Sequence, residues 1–322
     1  MSKARNYMFG LGAGGFKWDA NDLAGMVGLP SVGDIFYVDP GAGSDTANGG
    51  KDRDDAYATL TQAHTAMAAD NNDVVIIDAS SATGRTSEAA ALTWSKRRTH
   101  VVGSGPARRI NSRQGISFGA SMSPGLLISG NNCSFSNISI ATFSDNNVLV
   151  EITSDYNTFN NVHFQGIGDD TAGDDTAARS LLLTASEENE FYNCTVGLDT
   201  ITRSAANANL ELTGSCARNK FISCDFPIYA DAATPVFVKA DTGNAYERFL
   251  TFENCYFNNP VDGSSTAMTV GMDLSATGNG QVVLFNSYFT GCTDIANDFT
   301  ATNLAGSVQA TNSTGALTVQ AA

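Results

Sequence analysis

A chain of 322 residues with 42% apolar content is long enough and apolar enough to bury a large core, which excludes a disordered polymer. A formal net charge of −15 argues against nucleic acid and anionic membrane as partners, and no apolar run approaches the length of a spanning helix. Residues 1–19 show no apolar stretch of signal-peptide shape, so synthesis and folding in a cytoplasm are expected.

Residues 1–34 set Tyr7, Phe9, Phe16, Trp18, Met26 and Leu29 among glycines and the basic residues Lys3, Arg5 and Lys17. Such a segment is too apolar for a free tail and too Gly-rich for a domain, so it reads as a docking arm. An arm folded back on the chain's own body is the alternative. Ile35 to Val38 reads as a strand, followed by a turn-rich loop through Pro40-Gly41 and Asn48-Gly49-Gly50. Asp55 to Ala69 reads as a short helix with Tyr57, Leu60, Ala63 and Met67 on one face, and 73–78 as the next strand. Trp94 is a candidate for an outward aromatic. Lys96, Arg97, Arg98, Arg108, Arg109 and Arg113 bring six of 18 basic residues within 18 positions, either as a solvated face or as a docking patch for an acidic surface. Gly103 and Gly105 read as turn glycines, because no helix follows them as a phosphate loop requires.

From about residue 115 to 300 an internal repeat dominates. Its frame is Phe, any residue, Asn, a small apolar residue, any residue, then an aromatic or β-branched residue. First anchors fall at Phe135, Phe159, Phe191, Phe221, Phe252 and Leu284, in steps of 24, 32, 30, 31 and 32 residues. A period in this range predicts stacked units, each unable to bury its apolar face alone. The apolar positions are too closely spaced for a helix and predict short strands on either side of a bend at Asn. One coil of a parallel β-helix fits this length. Equivalent residues then stack as ladders at about 4.8 Å: the Phe column, a second column of Ile138, Val162, Cys194, Cys224, Cys255 and Ser287, and a bend column of Asn137, Asn161, Asn193, Ser223, Asn254 and Asn286. Turn-prone Asn157, Asn189 and Asn219 precede three copies. The six cysteines read as buried, inert thiols, with no CxxC pair for zinc.

Two excursions interrupt the repeat, 166–178 and 230–245. The first carries Asp169, Asp170, Asp174 and Asp175, residues that suit Ca²⁺ but lack the spacing of a DxDxDG loop. No cofactor is expected. Glu190, Asp225 and Glu253 read as outward, yet no two share a repeat position, so no catalytic carboxylate pair is visible. His163 reads as a surface residue at the variable position beside Val162. No nucleophile elbow, metalloprotease motif or P-loop is present, which favours a non-enzyme. The tail, 301–322, has strand-forming residues and no helix signal.

The opening of the chain resembles pectin-lyase-like right-handed β-helix proteins. The shared features are a strand ending Tyr37-Val38-Asp39, the Gly-Ser-Asp to Asn-Gly-Gly loop, the Ala58-Thr59-Leu60 helix and the Asp73-Val74-Val75-Ile76-Ile77 strand. His100 to Pro106 resembles the early coils of the same family. The resemblance implies an all-β, right-handed, single-stranded parallel β-helix whose short N-terminal helix plugs the open end. It divides the chain into an extended arm (1–34), opening strand and capping helix (35–80), β-helix (81–300) and terminal strands (301–322). Arm and cap together resemble bacteriophage virion proteins with this body. That implies a virion location, a homotrimer, and attachment to a major capsid protein or a tail attachment protein. The expected role is capsid decoration, with the arm docked and the β-helix projecting. The alternative is a tail spike that binds or cleaves host glycan. A glycan groove needs outward aromatics over several coils, whereas here they sit mainly in core columns. A secreted polysaccharide lyase is the third class, disfavoured by the N-terminus.

Overall fold

The computed structural model describes residues 33–78, 85–105, 114–119, 122–274, 279–297 and 304–311, with the backbone alone at 279 and 304–311. The chain is an all-β parallel solenoid. Nine parallel pairings join ten strands into its first face, from Ile35–Val38 to Leu304–Thr311. A second face runs from Arg85–Glu88 through His163–Phe164, Thr195–Val196 and Asp225–Pro227 to Tyr256–Asn258 and the end of Asn279–Thr290. A third, separate sheet stacks eight strands, from Leu92–Trp94 to Cys292–Ala296. Each coil therefore passes first face, bend, second face, turn, third face.

The ladders take the register that the repeat implies. Phe135, Phe159, Phe191, Phe221, Phe252 and Leu284 are direct neighbours. The phenylalanine rings stack at 5.4, 4.7, 4.3 and 5.2 Å between centroids. All six bend residues have φ between 52 and 57°, the left-handed region that Asn tolerates best among residues with a side chain. The bend reverses the in–out alternation, so the residue after it points inward again. Cys194, Cys224 and Cys255 there are fully buried.

Their thiols are more than small apolar groups. Cys194, Cys224 and Cys255 donate to the carbonyls of Phe159, Phe191 and Phe221 of the coil before, at 3.5, 3.3 and 3.3 Å. Ser287 repeats the contact to Phe252 at 3.3 Å, which explains a serine in a buried column. Burial pushes the thiols of Cys194 and Cys255 upward, so they stay protonated and inert. A second polar ladder lies at the corner before the first face. The amide oxygens of Asn157, Asn189 and Asn219 accept from the backbone N–H of Cys133, Asn157 and Asn189 at 2.8–3.0 Å, all buried. These bonds satisfy backbone groups that no strand reaches.

The capping helix is shorter than the sequence predicts. It spans Leu60–Ala66, preceded by a 3₁₀ turn at Arg53–Asp55. Thr59 caps it, and the buried Glu88 carboxylate accepts from the N–H groups of Leu60 and Thr61 at 3.0 and 3.2 Å, so the helix starts at Leu60, five residues later than Asp55. Leu60 and Ala63 lie in the helix, whereas Tyr57 precedes it in a bridge to Val38 and Met67 is its C-cap; all four join the solenoid core. Lys96 does not serve a basic patch. Its ammonium donates to the carbonyls of His64, Thr65 and Met67 at 2.5–2.8 Å, closing the helix C-terminus.

Candidate functional site

The second face carries one outward column of unlike residues. Ser139, His163, Thr195, Asp225, Tyr256 and Tyr288 are direct neighbours in register. Beneath them Phe164, Val196, Phe226, Phe257 and Phe289 point into the core, so the sheet is rigidly backed. Gly197 sits two residues beyond Thr195 at φ 105°, and a Cβ there would lie 2.4 Å from the Asn209 amide. A side chain is thus missing where neighbouring coils have Gln165 and Pro227. Beside this turn lies a cleft of about 250 Å³ lined by His163, Thr195, Gly197, Leu198, Asp199, Asp225, Phe226, Pro227, Tyr256 and Asn258.

The walls differ in character. Tyr256 and Tyr288 are 39% and 43% exposed on consecutive rungs at one end. The Asn258 amide oxygen accepts from the hydroxyls of Tyr256 and Thr290 at 3.2 and 2.8 Å, which fixes the rim. Asp225 is half-buried and Asp199 is exposed on the loop after Gly197. His163 corrects the expectation of a surface residue. It is 1% exposed, with Nε2 3.0 Å from the Gly197 carbonyl, so it braces the cleft floor. Asp199 escaped the sequence reading because it lies in a loop outside the repeat frame.

A wider groove of about 610 Å³ crosses the first face between Tyr156 and Phe249. Its lining carries Glu188, Glu190, Arg218 and the exposed Lys220. Arg218 pairs with Glu188 and Glu187 at 2.6 and 2.9 Å. Glu190 accepts from the Tyr192 hydroxyl at 2.5 Å, and that bond holds the Tyr192 phenol up at about 12.

The remaining sequence candidates fall as follows. Trp94 is not an outward aromatic. It is fully buried, with its indole N–H on Thr99 Oγ1 at 2.9 Å and its ring 4.6 Å from His64. Outward aromatics are instead Phe143, Tyr156, Phe249, Tyr256, Phe285 and Tyr288, between 39% and 59% exposed, so aromatic residues are not confined to core columns. Arg97 pairs with Asp70 at 2.7 Å and Arg98 lies at φ 55°, whereas Arg108 and Arg109 lie outside the described residues. So do the arm residues Tyr7, Phe9, Phe16, Trp18, Met26 and Leu29. In the acidic loop, Asp169 caps the one-turn helix Asp170–Gly173, Asp175 accepts from the Ala177 N–H, and Asp174 accepts from the Ser204 hydroxyl. Among the described residues no three His, Cys, Asp or Glu side chains converge to hold a metal.

No family model and no curated protein matches this sequence. Solved structures do match its fold. Pectin methylesterase PemA from Erwinia chrysanthemi has 12% identity over 88% of this chain and 90% of that one, with a TM-score of 0.56. A pectin methylesterase in complex with a hexasaccharide has 12% identity over 89% and 91%, with a TM-score of 0.57. Geobacillus virus E2 ORF18 has 14% identity over 85% of this chain, which spans about half (51%) of that one, with a TM-score of 0.50. The pectin-lyase-like parallel β-helix fold is thereby established.

Proposed function

We propose that this protein is a surface component of a bacteriophage particle that binds a host-surface polysaccharide through the second-face cleft. The observation that carries the reading is the pair Tyr256 and Tyr288, exposed on consecutive rungs beside that cleft. Aromatic faces suit stacked sugar rings, and Asp225, Asp199, Thr195 and Asn258 offer hydroxyl partners around them. The likeness to a Geobacillus virus chain supports the phage setting, and a neighbour crystallised with a hexasaccharide supports the ligand class. Residues 1–34 serve as the attachment arm, to a tail attachment protein in this reading, and the particle carries the solenoid as a homotrimer.

Head decoration differs in where the arm docks, not in the solenoid. Two measurements on one preparation separate them: cryo-EM of the particle, and binding of the purified protein to host cells before and after removal of surface polysaccharide. Density at the tail and binding lost on stripped cells are expected. Density repeating over the head lattice, with equal binding to both kinds of cell, would overturn the adhesin and leave decoration through the major capsid protein.

A further inference from the structure

The charges around the cleft narrow the class of sugar it accepts, an inference that rests on the saccharide reading above. The lining contributes two acidic side chains, Asp225 and Asp199, and among the described residues no lysine or arginine. The cation that shares the outward column is Arg85, three rungs before His163. At the strand spacing that is about 14 Å away, beyond the roughly 8 Å over which physiological salt leaves exposed charges coupled. Arg85 also lies 5.3 Å from the Phe143 ring. A uronic acid placed on Tyr256 would bring its carboxylate next to Asp225, one rung away, with no lysine or arginine in the lining to receive it. Carboxylate recognition in proteins draws on the fork of an arginine or the point charge of a lysine, and the lining of this cleft supplies neither.

The reverse holds for a sugar rich in hydroxyls or amines. Carboxylates accept hydrogen bonds from both and donate none, so Asp225 and Asp199 give the cleft wall two acceptor carboxylates. Asn258 contributes an amide at the rim, its oxygen already engaged by Tyr256 and Thr290. We propose that the cleft takes an uncharged or amino sugar and discriminates against uronic acids. The pectin-directed names among the structural neighbours therefore do not carry over with the fold.

The test uses the full chain and an immobilised panel of bacterial capsular and lipopolysaccharide glycans of known composition, sorted into uncharged, amino-bearing and uronate-bearing members. Uncharged or amino members are expected to bind at least about tenfold more tightly than uronate members, equivalent to about 1.4 kcal/mol. Tyr256→Ala is expected to abolish that binding. Asp199→Lys, on an exposed loop and therefore harmless to the fold, is expected to close the gap by admitting uronate. Preferred binding of uronate members that is lost in Tyr256→Ala would overturn the charge selection and leave the saccharide reading intact. Preference for uncharged glycans that survives Tyr256→Ala, Asp225→Asn and Asp199→Lys would overturn the assignment to this cleft. Failure of every member to bind would overturn both.

Discussion

Ser223→Asn should stabilise the solenoid. The bend column runs Asn137, Asn161, Asn193, Ser223, Asn254 and Asn286, every member in the left-handed region. That conformation costs an ordinary residue about 1–2 kcal/mol, and Asn relieves part of it by local hydrogen bonding. Neighbouring amides also bond along the column: Asn161 donates to Asn137 at 2.9 Å, and Asn286 to Asn254 at 2.8 Å. Ser223 stands between Asn193 and Asn254, in the stretch between those two bonded pairs, with a side chain too short to reach from rung to rung. Restoring an amide should give about 0.5 kcal/mol from the backbone and about 0.5–1 kcal/mol from side-chain bonds in this part-exposed column. The sum, about 1–1.5 kcal/mol, corresponds to a rise in melting temperature of about 2 °C for a chain of this size. Because repeat arrays can unfold locally, amide hydrogen exchange over 220–226 and 252–257 should accompany the thermal scan. Asn193→Ala is the converse and should lower the midpoint by a similar amount. A lower midpoint for Ser223→Asn, or no change for Asn193→Ala, would refute the claim that bend conformation limits stability.

Other perturbations separate inward from outward positions. Phe221→Ala removes a ring stacked at 4.3 Å on Phe191 and at 5.2 Å on Phe252, and should cost about 4 kcal/mol by urea titration. Phe285→Ala, at a 55% exposed ring, should stay within about 0.5 kcal/mol; equal losses would show the register to be wrong. Cys224→Asp places a charge in a fully buried column and should cost several kcal/mol, ~4 as an order of magnitude, whereas Cys224→Ser keeps the donor to Phe191 and should cost about 1 kcal/mol. His64 and His100 are both held at about 4, first by burial and then by the cations Lys96 and Arg98 respectively. In the unfolded chain they take protons near 6.5, so stability is full above that pH and falls as pH drops from 6.5 toward 4, by on the order of 2–3 kcal/mol each. Near-ultraviolet circular dichroism of Trp94, against the His64 ring, should report the loss, and an unchanged slope in His64→Gln/His100→Gln would assign it elsewhere.

What could be read from the sequence was what stacking makes alike. A column inside a solenoid packs each side chain on its own copy one rung away, so Phe135 to Phe252 and Cys194 to Cys255 repeat and announce the coil. The left-handed bend restricts residue type in the same way, which is why Asn recurs there. The third face was hidden for the opposite reason. Its strands Val148–Ile152, Arg179–Thr184 and Ala208–Thr213 follow turns of unequal length, including the 166–178 excursion, so no fixed spacing ties them to the bend. Single-residue readings failed where a long-range partner decides burial: His163 against the Gly197 carbonyl, Trp94 against Thr99, and Lys96 on the helix carbonyls.

The cleft follows from the same physics turned outward. A column that points away from the core does not pack each side chain on its own copy, so its residues can change from coil to coil, buried at Ser139, His163 and Thr195 and exposed at Tyr256 and Tyr288, while the inward ladder holds them in register. Ser139, His163, Thr195, Asp225, Tyr256 and Tyr288 share no residue type beyond the final pair, and that variation makes the column invisible to a search for repeats. Gly197 lines the cleft at a turn where its positive φ and the Asn209 amide packed against it leave no room for a Cβ. Gly197→Ala therefore tests structure and binding together. It should strain the turn and shift the floor carbonyl that His163 braces, weakening glycan binding along with local stability. The same change at Gly263, where a Cβ meets nothing within 4 Å, should leave both untouched.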